Sequence, residues 1–258
     1  MKVTMAWLRR TWRFTRFLLA EYVRSGRIVA EVATVAIAEW LLFWPHGGGS
    51  GFDPPQFLSL GGLVALGITA YTTGVVMGMG NRPQGYVLLT RRLGRGGYFA
   101  GLYLAALLVS VGAYLALLAA ALAGFWAQGQ PLNTSPAMLF QGSLPLLLDQ
   151  AVLASTIALL APLTLGRRAR LPALAVLAVA LASDLGDLRL VDPTGALALL
   201  YRAAHLALAP ATNGFALAVA HTLTPAAAGI LAGQVALAAA LLALALGVFA
   251  RRDLILGA

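Results

Sequence analysis

A few ionisable and amide side chains lie inside apolar stretches of the sequence, and they are the first candidates for chemistry. Glu31 and Glu39 are eight residues apart in one stretch. Gln141 and Asp149 have the same separation in another, and this spacing puts each pair roughly on one helical face. Because ionisable groups are costly at membrane depth, they indicate a functional path by default. The candidate translocation path consists of Glu39, Tyr71, Gln141 and Asp149.

Two interpretations of these polar groups remain open. In the first, Glu39 and Asp149 line a substrate path, for which a cationic amphiphile is a suitable ligand. In the second, they are hydrogen-bond partners between helices, one of them protonated. Glu31 follows Arg27 by four residues, a spacing that favours an ion pair near the membrane surface. Gln234 adds one polar residue to the last apolar stretch.

The composition excludes several catalytic chemistries. The chain contains no cysteine, which removes thiolate metal sites, disulfides and thiol nucleophiles. Lys2 is the only lysine, so the chain has no P-loop lysine to hold nucleotide phosphates. The three histidines form no HExxH motif, and no GxSxG motif occurs. We therefore expect no catalytic residue, no metal site and no cofactor in this chain.

The elements that must position the polar residues are membrane helices. The chain of 258 residues is 60% hydrophobic and 10% charged, whereas soluble domains are about 25% charged. Apolar runs of about 18 residues or more indicate transmembrane helices, and six runs approach or exceed this length. They cover residues 27–44, 57–79, 98–127, 138–165, 171–185 and 226–250. We therefore expect an all-α, polytopic membrane protein with six spans in a single domain, residues 1–258.

The positive charges are concentrated on one side of the predicted membrane. The chain has 18 Lys and Arg residues against 9 Asp and Glu, for a net charge of +9. Sixteen of the 18 precede or begin the first run, follow the last, or lie in the loops after the second and fourth runs. Cytoplasmic loops of membrane proteins carry an excess of Lys and Arg. We therefore predict a cell (inner) membrane protein with both termini in the cytoplasm. Membrane orientation therefore accounts for the positive charge of the chain, and we expect no nucleic-acid partner.

Residues 1–26 are predicted to form an amphipathic helix in the plane of the membrane. At about 100° per residue, tryptophans and other apolar side chains fall on one arc and arginines on the other. Such a helix lies in the membrane surface with its arginines on anionic headgroups, and an ordinary juxtamembrane anchor is the alternative. The residues assigned to this surface are Trp7, Arg9, Arg10, Trp12, Arg13 and Arg16.

Two short helices are predicted at the outer face, within residues 187–225. The two apolar stretches of this region have about 10–14 residues each, too few to cross a bilayer. Pro210 and the Asn213-Gly214 pair lie between them and predict a break. The two pieces are therefore expected to lie at the outer face, dipping into the membrane and returning before the last span.

The in-plane helix, six spans, inside termini and paired outer helices together resemble the permease subunit of type-2 ATP-binding-cassette (ABC) transporters. The cytoplasmic loop at residues 80–97 resembles the loop that follows the second span in this family. The residues that match the family pattern are Arg82, Gly85, Leu88 and Leu89. The sequence at 249–254 also resembles the C-terminal sequence that is usual in this family.

The resemblance implies that the 80–97 loop holds a coupling helix that docks into a separate ATPase subunit. That partner would bind ATP and Mg, so this chain is expected to be a permease subunit and no enzyme. Apolar contacts with charges at their rim suit such docking. The alternative is that Arg91, Arg92 and Arg95 only set topology and bind lipid headgroups. The predicted coupling residues are Arg82, Gly85, Tyr86, Val87, Leu88, Leu89, Arg91, Arg92 and Arg95.

The resemblance further implies an ATP-driven exporter in which two copies, or one copy and a related chain, form the path as a dimer. Three alternatives share some of these features. A haem-exporter or metal-cluster-maturation permease has the same topology. A proton-coupled secondary transporter would use Glu39 or Asp149. A non-transporting membrane assembly protein would leave its partner's ATPase rate indifferent to ligands.

Overall fold

The computed structural model describes residues 2–44, 52–80, 93–129, 131, 134–165, 209–220 and 225–251. These residues form helices joined by turns, with no strand among them, which confirms the all-α fold class. The helices are α1 (Lys2–Arg24), α2 (Ile28–Ala38) with a π-helical continuation (Glu39–Phe43), α3 (Pro54–Gly80), α4 (Gly94–Ala127), α5 (Pro136–Leu160), α6 (209–220) and α7 (Pro225–Arg251).

In the described part of the chain, four helices are long and apolar enough to cross a membrane: α3, α4, α5 and α7. They correspond to the second, third, fourth and sixth predicted spans. Apolar side chains all around a helix of this length are stable only in hydrocarbon or in a large protein core. The chain is therefore a membrane-embedded helical protein. The fifth predicted span, residues 171–185, lies outside the described residues.

The first predicted span is helical but short. Helix α2 has 11 residues and the π-helical continuation has 5, which together rise about 24 Å. A hydrocarbon core is about 30 Å thick, so this segment does not reach the length of the other four. It follows α1 through a turn in which Gly26 has a φ of 73°, a left-handed conformation that favours glycine.

Helix α4 is at the centre of the bundle, in contact with α1, α2, α3, α5 and α7. Near its start, Phe99 and Leu102 are fully buried in an apolar cluster with Phe14 of α1 and Phe249 of α7. This cluster lies at the end of the bundle where the arginines of the described residues are found: on α1, before α2, at the start of α4 and at the end of α7. We refer to this end of the bundle as the arginine end.

A second apolar cluster lies at the opposite end of the bundle. Phe52, Phe57 and Tyr114 form a chain of ring contacts there, with Phe52 and Phe57 centroids 5.5 Å apart. Asp53 precedes α3, and its Oδ2 accepts a hydrogen bond from the backbone N–H of Gln56 at 3.3 Å, as an N-cap does. Helices α3, α4 and α5 thus contribute to both apolar clusters, whereas α7 contributes to the first.

The two short outer helices stay a prediction, but the residues that suggested the break between them lie within one described helix. Residues 209–220 are helical, and this helix contains both Pro210 and the Asn213-Gly214 pair. The physical reason is packing, because Gly214 makes room for a neighbouring side chain within the bundle. Residues 187–208 and 221–224, which complete the predicted outer region, lie outside the described residues.

Candidate functional site

Glu31 joins three helices at the arginine end. It is 3% exposed, and its Oε1 accepts a hydrogen bond from the Tyr22 hydroxyl of α1. The Thr72 hydroxyl of α3 donates to the same oxygen at 2.7 Å. Burial, together with the bond to Glu31, raises the pKa of Tyr22 above its ordinary value, so the hydroxyl remains a donor. This cluster fixes α1 and α2 against α3.

The predicted Arg27–Glu31 ion pair is wrong. Among the described residues Arg27 makes no ion pair with Glu31, and its buried Nη1 has no hydrogen-bond partner. Arg27 belongs to the turn before α2, and Tyr22 and Thr72 reach the carboxylate from two other helices instead. Partners distant in the sequence have replaced the local one.

An apolar groove of about 670 Å³ lies between α2 and α4. It is lined by aliphatic and small side chains, and its two acidic residues lie about 12 Å apart along the helix, as eight residues of rise require. No basic side chain is among its described lining residues. We name it the α2–α4 groove; its lining includes Glu31, Glu39, Trp40, Trp44, Gly112 and Ala116.

Glu39 begins the π-helical segment, and its carboxylate has no partner. Both Oε1 and Oε2 are buried and make no hydrogen bond within the described part of the chain. A Cβ on Gly124 of α4 would lie 3.2 Å from Oε1, so the carboxylate rests against the glycine backbone. The backbone N–H of Trp44 donates to the Glu39 carbonyl at 2.7 Å, the i+5 bond of a π-turn. The wider turn directs Glu39 and Trp44 to the same groove.

A second buried polar cluster joins α5, α6 and α7. The Gln234 side-chain amide of α7 donates to Asp149 Oδ1 at 2.6 Å and to the Pro145 carbonyl at 3.0 Å. Asp149 is 4% exposed and Gln234 is fully buried. Gly214 of α6 lies so close that a Cβ there would be 2.5 Å from Cδ of Gln234. Asp149 Oδ2 and Gln234 Oε1 have no partner among the described residues.

The four candidate path residues do not line one cavity. Glu39 lines the α2–α4 groove, whereas Asp149 lies in the contact between α5 and α7. Tyr71 is 49% exposed on α3, and Gln141 is partly buried on α5. Their common role in a path stays a prediction.

Sequence reasoning missed the roles of Gln234, Gly214, Tyr22 and Thr72. The one available signal was the isolated amide of Gln234 in the last apolar stretch. A single polar residue shows that a partner is needed, because buried polar groups are hydrogen-bonded. It does not show which helix supplies that partner.

Helix α1 presents three faces, where the sequence predicted two. Trp7 and Trp12 are 41% and 49% exposed. Trp7 belongs to the edge of the packed face, because a Cβ on Gly97 of α4 would lie 3.2 Å from its Nε1, whereas Trp12 belongs to the exposed apolar face. Exposed apolar side chains form a second face, and the arginines form the third, all of them exposed. The residues packed against the bundle are Thr11, Phe14, Thr15, Leu18 and Tyr22. The arginines assigned to the membrane surface are Arg9, Arg10, Arg13 and Arg16.

The predicted coupling loop is described only at its two ends. Arg95 is exposed at the start of α4, and its Nη1 donates to the Ala250 carbonyl of α7 at 2.6 Å. The Tyr98 hydroxyl donates to the Gly80 carbonyl at 3.0 Å, which joins the end of α3 to the start of α4. The other predicted coupling residues, from Arg82 to Arg92, lie outside the described residues.

No protein-family model matches this chain, and no curated protein is significantly similar to it. Within the described ranges, no group of three His, Cys, Asp or Glu residues is placed to hold a metal ion. The features of the chain that bear on function are therefore the helical bundle, the α2–α4 groove and the two buried acidic clusters.

Proposed function

We propose that the chain is the membrane-spanning subunit of an ATP-driven exporter. It works as a dimer with separate ATP-binding-cassette ATPase subunits, which bind ATP and Mg, while this chain provides the path. The observation that carries the proposal is the convergence of α1, both ends of the 80–97 loop and the end of α7 at the arginine end. The resemblance of the loop sequence to the family's coupling segment gives this convergence its interpretation.

The contacts at the arginine end are suited to pass a loop movement into the bundle. The rings of Phe14 and Tyr98 stack with centroids 5.1 Å apart, directly after the loop. A Cβ on Gly101 would lie 2.5 Å from Phe14 Cδ1, so the Phe14 ring of α1 packs directly on the backbone of α4. Tyr98 is also bonded to the last residue of α3. A force on the loop is therefore applied to α1, α3 and α4 together.

The three faces of α1 support an in-plane position at the cytoplasmic surface. The packed face holds α1 on the bundle, the exposed apolar face suits acyl chains, and the arginine face suits anionic headgroups. All Arg residues of the described ranges lie at this end, which the positive-inside rule assigns to the cytoplasm. The proposal therefore includes cytoplasmic termini, six spans and short outer-face helices in a cell (inner) membrane.

A proton-coupled secondary transporter is the second candidate function. It is favoured by the carboxylate oxygens of Glu39 and Asp149 that have no partner in the described chain. Unpaired carboxylates at membrane depth are the groups that proton relays use. Transport that persists without ATP and collapses with the proton gradient would select this candidate over the first.

The experiment is affinity purification of the tagged chain from membranes of its source cell in a mild detergent. We expect an ATPase with a P-loop sequence to copurify in equal amount with the chain. Leu88→Asp in the coupling loop should lose the ATPase, while Leu88→Met should keep it, since the apolar contact survives. Absence of any P-loop protein at a comparable amount, from intact monodisperse chain, overturns the proposal.

A further inference from the structure

The wall of the α2–α4 groove formed by α4 begins with Leu108 and Val109 and consists of small residues from Gly112 onwards. Gly112, Ala116 and Ala120 follow one another at intervals of four and all line the groove. Residues four apart lie one above the other on a helix, so they form a continuous shallow channel. The volume of about 670 Å³ falls within the range of about 300–1,000 Å³ that is typical of small-molecule sites.

The acidic residue at the far end of this channel is uncompensated. Neither carboxylate oxygen of Glu39 has a hydrogen-bond donor among the described residues, and no basic side chain lines the groove there. An unpaired acid in a low-dielectric site is costly, and a bound cation would remove that cost. Glu31, at the near end, is already engaged, because its Oε1 accepts from both Tyr22 and Thr72. Glu31 Oε2 has no partner in the described part of the chain, but Glu39 is the acid of the groove in which both oxygens lack one.

Two indole side chains line the groove together with this acid. Trp40 and Trp44 both line the groove and are 61% and 48% exposed. The π-turn that begins at Glu39 brings Trp44 towards the same side. Indole faces attract organic cations, most strongly when the cation is desolvated. A carboxylate beside two tryptophans is the combination that recognises an ammonium or phosphonium group.

We propose that the α2–α4 groove binds a lipophilic organic cation. The positive group lies at Glu39 beside Trp40 and Trp44, and the apolar body lies along Gly112 and Ala116. This inference rests on the proposed function, for which it names the transported substrate class. The small residues give room, the aliphatic lining excludes water, and the carboxylate selects the sign of charge.

The binding test uses two nearly isosteric probes of opposite charge. Tetraphenylphosphonium is the lipophilic cation, and tetraphenylborate is the matching anion. The full chain is reconstituted alone in lipid nanodiscs, and probe uptake is measured by equilibrium dialysis, with empty nanodiscs subtracted. We expect saturable binding of the cation with one site per chain, and no saturable binding of the anion.

Four variants locate the site. Glu39→Gln should weaken cation binding about tenfold or more, because it removes the charge that pairs with the ligand. Ala116→Leu should weaken binding by a similar factor, because it fills the channel and leaves both acids in place. Glu21→Gln removes an exposed acid of α1, and Ala119→Leu enlarges an exposed residue of α4, the helix that carries Ala116. Both controls should bind the cation as the unmodified chain does.

The inference is overturned if the anion binds as well as the cation, or if Ala116→Leu and Glu39→Gln bind the cation with unchanged affinity. It is also overturned if the intact chain shows no saturable cation binding. Ala116→Leu keeps the test decisive if Glu39→Gln fails to fold, since it changes no polar group. Because the chain is measured without its ATPase, a negative result here is distinct from a failure to copurify with one.

Discussion

Gly214 has no room for a side chain, and replacing it with alanine gives the sharpest test of the α5–α6–α7 contact. A Cβ at this position would overlap the Gln234 amide, because it would lie 2.5 Å from Gln234 Cδ. It would also lie 3.1 Å from Asp149 Oδ1. Heavy atoms do not approach this closely without a bond, so Gln234 must leave its place. Its movement breaks the bonds to Asp149 Oδ1 and to the Pro145 carbonyl.

The expected cost follows from these two bonds. A buried hydrogen bond contributes about 0.5–1.5 kcal/mol net, and helix–helix bonds measured in a membrane average about 0.6 kcal/mol. Asp149 Oδ1 also loses its donor in a buried site, which adds to the cost. We therefore expect Gly214→Ala to lower the free energy of unfolding by about 1–3 kcal/mol.

The assay is reversible unfolding of the purified chain in mixed micelles with increasing sodium dodecyl sulfate. Gly229→Ala in α7 is the matched control, because a Cβ there meets nothing within 4 Å. Alanine is a better helix former than glycine, by up to about 1 kcal/mol. The control should therefore be neutral or slightly stabilising.

A double-mutant cycle identifies the cause. In a Gln234→Ala background the amide that obstructs the new methyl group is absent, so Gly214→Ala should cost much less than it does alone. The coupling between the two substitutions should reach about 1 kcal/mol or more. An equal cost of Gly214→Ala in both backgrounds, or a cost no larger than that of Gly229→Ala, refutes the reasoning.

Two further predictions concern the arginine end. Tyr22→Phe removes one of the two donors to Glu31 and should lower the free energy of unfolding by about 1 kcal/mol, measured as above; an unchanged value would show that this bond contributes nothing. Gly101→Ala should push Phe14 off α4 and speed tryptic cleavage of α1, since its Cβ would lie 2.5 Å from that ring. Gly96→Ala, with open space around its Cβ, should leave the cleavage rate unchanged, and equal rates in the two variants would contradict the packing.

The helical fold and four of the spans follow from the sequence because hydrocarbon imposes a simple rule. A helix that crosses it needs about 20 apolar residues, and such runs are visible without knowledge of any contact. The sequence does not show that helix α2, the first predicted span, is short. Its apolar run, residues 27–44, includes the turn residue Arg27 and the π-turn. The number of apolar residues in this run is therefore larger than the number of residues in helix α2.

The polar contacts were less predictable because tertiary partners compete with local ones. The four-residue spacing of Arg27 and Glu31 favours an ion pair in an isolated helix, worth only a few tenths of a kcal/mol. Thr72, 41 residues further along the chain than Glu31, instead reaches the carboxylate on a packed helix face. Gly214 is also explained by a partner that is distant in the sequence. The Asn213-Gly214 pair is typical of a turn, but the glycine is required because the Gln234 side chain lies against it.

We propose that this chain is driven by ATP hydrolysed in another subunit. The most direct test of this proposal is the ATPase rate of the affinity-purified assembly in lipid nanodiscs, compared with the rate of the same assembly carrying Leu88→Asp. We predict steady hydrolysis in the first and loss of both the ATPase subunit and the activity in the second, with Leu88→Met retaining both. Monodisperse chain that purifies without ATPase activity, or activity that Leu88→Asp leaves unchanged, would contradict the account.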